Sequence, residues 1–416
     1  MAVSRRSFMT VSAAAAVVAS TGRVPRLWAD ANFRAGILQG ERILVVVQLS
    51  GGNDGLNTVI PFGDDAYHKN RFATRIANDV IHKIDNYVGL HPSMKDLAGL
   101  HRERRCSIVQ GVGYPNPNRS HFESMDIWHS AQMAPPHRTG WIGRWVDQQA
   151  SEKTDTTTAA GSSALTALHI GDEPLPLAVT GLNAMVPSLK AIDSLRIAPD
   201  ELVRAALKNG PANAALGADA TKGELLDFLR GTRATALAAA EKLQSVGGDD
   251  SRSRGYDQSQ LSLKLAAVAQ LIGIDFGPRV YYVELAGFDT HSQQAEAHSA
   301  LLGEVSRALG AFHRDLKNKS LDDRVLSVCF SEFGRRVKEN GSRGTDHGTA
   351  APLFIAGPEG LPSLVGKYPS LTDLDEGDLK FSVDFRSVYA TLLEKWLGIP
   401  SLPILGKQFD PLDLFT

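Results

Sequence analysis

The chain alternates between unbroken apolar runs and longer stretches of helical period. Ile43–Leu49 (ILVVVQL) is β-branched and carries no helical repeat, which predicts a strand buried on both faces. Ser107–Val112, Val280–Leu285, Val325–Phe330 and Leu353–Ala356 read the same way, and Leu168–Gly171 and Leu177–Val179 predict two shorter strands. Between these runs the period changes. A helix is expected from Ser120 through Met125, Ile127 and Trp128, and another through His298 to about Leu316. Ala-rich periodic stretches at 225–243 and 260–271, separated by Gly247–Gly255, make residues 183–275 a mostly helical insertion. Strands interleaved with helices predict an α/β domain with a mixed, mostly parallel sheet.

The polar residues that follow the strands fall in phase with them. Gly51, Gly52, Asn53 and Asp54 follow the first strand, where glycines permit a sharp turn and a close approach to a ligand. Arg119, Ser120 and His121 follow the second, Asp289 and His291 the third, and Glu332, Arg335 and Arg336 the fourth. Asp346 and His347 precede the last strand on a loop from the same edge. Strand ends distant in sequence converge at one rim of a parallel sheet, and in open α/β sheets ligands bind there. Each cluster alone also reads as ordinary turn chemistry. Ser120, with Glu123 three residues on, forms a capping box, yet its hydroxyl at the positive end of a helix also suits a nucleophile or an anion site.

Aspartate, glutamate and histidine together suit a divalent metal such as zinc or manganese, while oxygen-only subsets suit calcium or magnesium. Such an ion lowers the pKa of bound water or of a serine hydroxyl and polarises an ester oxygen. Arg335 or Arg336 offers a two-pronged grip on phosphate or sulfate. His298 lies seven residues beyond His291, about 10 Å along a regular helix. His291 is therefore the favoured ligand and His298 its alternative.

Composition narrows the function classes. The chain is 43% hydrophobic and 22% charged with a formal net charge of −2, an ordinary globular balance that gives no support for nucleic-acid binding. Cys106 and Cys329 both sit in strand-like runs and read as small buried hydrophobes. Ser4-Arg5-Arg6-Ser7-Phe8-Met9, followed by a short apolar run and by Ala29–Ala31, reads as a removable twin-arginine export signal over residues 1–31. No other segment is long and apolar enough to anchor the chain in a membrane. The expected location is periplasmic or secreted, with the twin-arginine export machinery as a transient partner.

The segments QLSGGNDGLNTVIPF, GYPNPNRSHFESMDIW, GFDTHSQQ and SEFGRRVKENGSRGTDHGTAAPLFIAG resemble an uncharacterised family of twin-arginine-exported bacterial proteins. That family stands in the alkaline phosphatase-like superfamily, beside phosphatases and sulfatases. The resemblance implies a three-layer sandwich over residues 32–416 with a two-metal site at the strand ends. It implies Ser120 as nucleophile, Asp54 and Glu332 at one metal, and Asp289, His291 (or His298) and His347 at the other. Ser331-Glu332 stands where the phosphatases carry Asp-His, and no formylglycine motif of the sulfatases occurs. The expected function is a metal-dependent hydrolase of phosphate or related sulfate or phosphonate esters acting on a small anionic substrate. The alternative is a non-catalytic binding or envelope-assembly protein on a degenerate hydrolase fold.

Overall fold

In the computed structural model, residues 42–154, 166–183, 186–189 and 254–415 are described. The export signal, the helix expected at 225–243 and most of the insertion lie outside these residues.

A central sheet is built from β1 (Ile43–Ser50), β2 (Cys106–Gly113), β3 (Ala167–Ile170), β4 (Ser188–Leu189), β5 (Val280–Ala286), β6 (Val325–Ser331), β7 (Ala351–Ala356), β8 (Leu364–Val365) and β9 (Val383–Asp384). The order across it is β8-β2-β7-β6-β1-β5-β3-β4, with β9 also on β2. β1 pairs in parallel with β5 and β6, whereas β7 runs antiparallel to its neighbours β6 and β2. The sheet is therefore mixed and mostly parallel, as the sequence pattern predicts.

Period-two alternation along β1 sends Val45, Val47 and Leu49 to one face and Leu44 and Val46 to the other. The first face packs under α1 (Lys95–Arg102), α4 (Gln260–Gly273) and α5 (Gln294–Asn318). The second packs under α2 (His121–Ser130), α3 (Trp141–Thr154) and α6 (Phe385–Thr391), where Trp128, Trp141 and Tyr389 fill the core. Three layers result. Each face buries a continuous apolar surface, so the strands carry no polar face along their length.

Two local expectations are corrected. Leu177–Val179 forms a single 3-10 turn rather than a strand. Ser120 does cap α2 by position, but its side chain makes no capping hydrogen bond. Asn118 instead stands between the two groups that would have met: its Oδ1 accepts the Ser120 N–H at 2.7 Å and its amide donates to the Glu123 carboxylate at 3.4 Å. Cys106 and Cys329 are buried free thiols, as expected.

β1, β2, β5 and β6 all end at the same edge, and the reversed β7 begins there. The loops that the sequence marks as polar therefore meet at this rim.

Candidate metal centre

The rim is drawn together by the Gly51-Gly52 turn. Both glycines have positive φ, +119° and +72°. A Cβ on Gly51 would stand 2.4 Å from the Asp289 nitrogen, and one on Gly52 would stand 2.4 Å from the Phe333 ring. Only glycine lets the ends of β1, β5 and β6 approach this closely.

Against that turn, His121, Asp289 and His347 each present one ligand atom, and these atoms lie within 4.8 Å of one another. Among the described residues this is the one such group. His347 Nε2 is 3.0 Å from Asp289 Oδ1, and His121 Nε2 is 3.4 Å from it. His291 abuts the group from a further side, with Nε2 at 2.9 Å from Asp289 Oδ1 and 2.9 Å from His347 Nε2.

The other ring nitrogen of each histidine is engaged. His121 Nδ1 donates to Glu332 Oε1 at 2.7 Å, and His347 Nδ1 donates to the Arg119 carbonyl at 2.8 Å. His291 Nδ1 lies 3.4 Å from Asp346 Oδ1. Acceptors at Nδ1 assign the proton there and leave each Nε2 as a lone pair. Two lone pairs facing each other at 2.9 Å repel unless a cation or a proton lies between or beside them. The buried His121 Nε2 has no hydrogen-bond partner at all. A metal-binding histidine usually donates its other ring N–H to a carboxylate or carbonyl in this way, which fixes its tautomer and ring orientation.

The electrostatics agree with this arrangement. The hydrogen bond that His121 donates to Glu332 raises the pKa of His121 against the opposing effect of burial. Burial would raise the Asp289 carboxyl, but Arg335, which donates a hydrogen bond to it, outweighs burial and lowers the pKa to about 2.

The remaining candidates occupy different positions. Glu332 is buried and does not reach the centre of the group; it accepts from His121, from the Gly51 N–H at 2.9 Å and from Ser331. Asp54, expected as a metal ligand, points inward instead. Both its oxygens are taken by Arg71 in a fully buried pair, and Gln294 donates to one of them. Burial would raise its carboxyl, but Arg71 outweighs burial and the pKa lies at about 2. His298 is likewise removed from the rim, buried on α5 with Nε2 against Asn53 Oδ1 at 2.9 Å.

Arg335, expected to grip the transferred group, is 1% exposed and has its donors committed. It donates to the carbonyls of Gly51, Gly52, Phe288 and Thr345 and, at 2.7 Å, to Asp289. Its role is to bind three strand-end loops together. The reason is local: tight glycine turns leave their carbonyls unpaired, and a guanidinium with five donors satisfies them.

Ser120 is exposed, between Arg119, whose carbonyl holds His347, and His121 itself. His121 was readable only as a neighbour of Ser120. Its position one residue past a candidate nucleophile, after a buried strand, was the available signal. Arg71 carries no signal in the sequence, since it caps a short helix (Asp65–Asn70) outside the polar clusters that follow the strands.

The profile of one family, described as "Protein of unknown function (DUF1501)", matches residues 236–368. That span includes Asp289, His291, Glu332, Arg335 and His347. No curated protein matches the chain. Solved structures similar to it include the C-terminal periplasmic domain of EcEptC from Escherichia coli, at 11% identity over 86% of this chain and 82% of that one, TM-score 0.40. The PsFucS1 sulfatase from Pseudoalteromonas sp. is similar at 12% identity over 99% and 75%, TM-score 0.39. A protein in the alkaline phosphatase superfamily from Vibrio parahaemolyticus is similar at 11% identity over 89% and 71%, TM-score 0.37. Likenesses of this strength bear on neither substrate nor activity.

Proposed function

We propose that this protein is a metal-dependent hydrolase of phosphate or related anionic esters, exported to act outside the cytoplasm. One observation carries the reading: three imidazoles, each tied at Nδ1, turn Nε2 toward Asp289 Oδ1. His121, Asp289 and His347 would hold the ion, with His291 completing the set or yielding its place to substrate. Three nitrogen donors and one carboxylate favour zinc over calcium or magnesium. When bound, the ion would supply Lewis acidity and an activated oxygen nucleophile at neutral pH.

This chain's own residues do the rest. Glu332 and the Arg119 carbonyl fix the tautomers and ring planes of His121 and His347. Arg335 holds Asp289 ionised and in place. Ser120, at the positive end of α2 and next to His121, is the candidate nucleophile. The twin-arginine signature at Ser4–Met9 supports export in the folded state, with the ion loaded beforehand. Among the described residues no helix is long and apolar enough to cross a membrane.

The test is elemental analysis of protein purified from its export pathway, together with turnover of p-nitrophenyl phosphate and sulfate. One metal per chain, lost in His347→Ala, with turnover lost in Ser120→Ala, is the expected result. Metal-free protein with unchanged His347→Ala would overturn the reading.

A second reading has its own support. Asp54 and Arg335, the residues expected to bind a first metal and the substrate anion, are both consumed in buried structural contacts. That reduction suits a non-catalytic binding or envelope-assembly protein. Metal bound stoichiometrically without turnover of any ester would favour it.

A further inference from the structure

A cavity of about 280 Å³ lies directly behind the histidine group, and nothing in the chemistry above uses it. Phe333 is the shared wall. Its ring packs against His121 and His347, with centroids 4.9 Å from each, and also lines the cavity. The opposite walls come from two segments, Gly113–Pro117 after β2 and Asp375–Phe381. The Arg119–Asp378 ion pair ties the chain just beyond the first segment to the second, and the same Arg119 holds His347 through its carbonyl. Cavity and metal group are thus built from shared residues.

The lining is mainly apolar and aromatic. Tyr114, Phe333, Leu379 and Phe381 supply rings and methyl groups. Three of the polar side chains among its walls are engaged in hydrogen bonds or ion pairs, while Asn116 and Asp375 also line it. Tyr114 donates its hydroxyl to Ser124 at 2.8 Å, Thr349 donates to the Leu379 carbonyl, and Lys380 pairs with Asp373. Phe381 nevertheless remains 37% exposed, an aromatic ring held at the surface beside an apolar hollow. The volume is at the small end for ligand pockets, which suits one ring rather than an extended chain. Arg119 stands on this side with Nε and Nη2 on Asp378 and Nη2 also 3.8 Å from Glu376 Oε2, while Nη1 makes no hydrogen bond among the described residues.

We infer that this cavity receives the organic half of the substrate, a single aromatic or similarly flat apolar group, while the anionic group lies against the histidines and Arg119. The inference rests on the proposed hydrolase reading and adds its substrate class: aryl esters of a tetrahedral oxyanion. In hydrolysis of such an ester the bond from phosphorus or sulfur to the aryl oxygen breaks. A bond to the oxygen of water forms, and a proton from that water ends on the departing phenol.

The test is calorimetric binding of phenylphosphonate and methylphosphonate, which are not hydrolysed, to zinc-loaded protein. Phenylphosphonate should bind at least about tenfold more tightly, the return expected for burying a ring. Phe381→Ala, at the exposed rim, should remove most of that preference while keeping metal content and methylphosphonate affinity. Saturation-transfer NMR on the unaltered protein should place the ring protons of phenylphosphonate in contact with protein. Equal affinities for the two ligands in metal-loaded protein would overturn the cavity's role and leave the hydrolase reading intact. Protein that takes up no zinc and binds neither ligand would overturn both.

Discussion

Glu332 reaches across the rim to His121, Oε1 to Nδ1 at 2.7 Å, and in doing so decides which ring nitrogen faces Asp289. The glutamate is 1% exposed and anchored by the Gly51 N–H, so it enforces one ring orientation. Glu332→Gln keeps the shape and removes the charge. Metal affinity should fall by about 10- to 100-fold, the usual effect of altering a partner behind a metal-binding histidine. Competition with a chromophoric chelator measures it, and an unchanged affinity would separate Glu332 from the metal group.

Asp54 and Arg71 form a pair buried to 0% on both sides. Removing one partner strands the other's charge, a loss of about 3–5 kcal/mol. Asp54→Asn should therefore lower the urea midpoint sharply while the surviving folded fraction keeps its metal content. Loss of metal without loss of stability would restore Asp54 to the ligand set.

Much of this architecture is legible in the chain because burial on both faces leaves its mark as uninterrupted apolar runs. Ile43–Ser50, Val280–Ala286 and Val325–Ser331 stand within a residue of where the pattern ends them. The rim is legible too, since parallel strands bring Asp289, His291, Glu332 and His347 to one edge. Side-chain direction is not. Asp54 follows a glycine turn with the same local signature as a ligand, yet it faces Arg71, whose approach depends on the packing of residues 71–74 against Val337 and Glu339. Arg335 looked available because the carbonyls that consume it belong to Gly51, Gly52, Phe288 and Thr345, which meet it only in the folded chain.

The turn that gathers the rim gives a third expectation. Gly52 has φ +72°, and a Cβ there would meet the Phe333 ring at 2.4 Å. Gly52→Ala should cost about 1–3 kcal/mol through strain and overpacking. Because Phe333 packs on His121 and His347, the variant should also bind metal more weakly than Gly55→Ala, whose added methyl meets Pro352 instead. Equal metal affinity in the two variants would detach Phe333 from the site.

Acid sensitivity follows from histidines buried away from the rim. Burial lowers the pKa of His298 and His91 to about 4, and that of His129 and His313 to about 3. In the unfolded chain each titrates near about 6.5. Between those values the unfolded state binds more protons, so stability rises with pH and falls on acidification. The loss begins as pH drops through about 6.5 and continues until the folded-state values are reached. Asp54, depressed to about 2, adds its own loss only below the ordinary carboxylate range. Thermal midpoints should therefore decline between pH 7 and pH 5. His313→Gln removes one titrating group while offering a partner to Ser327, which His313 contacts at 3.1 Å. It should flatten that decline measurably, and an unaltered slope would mean that His313 takes up its proton without unfolding the chain.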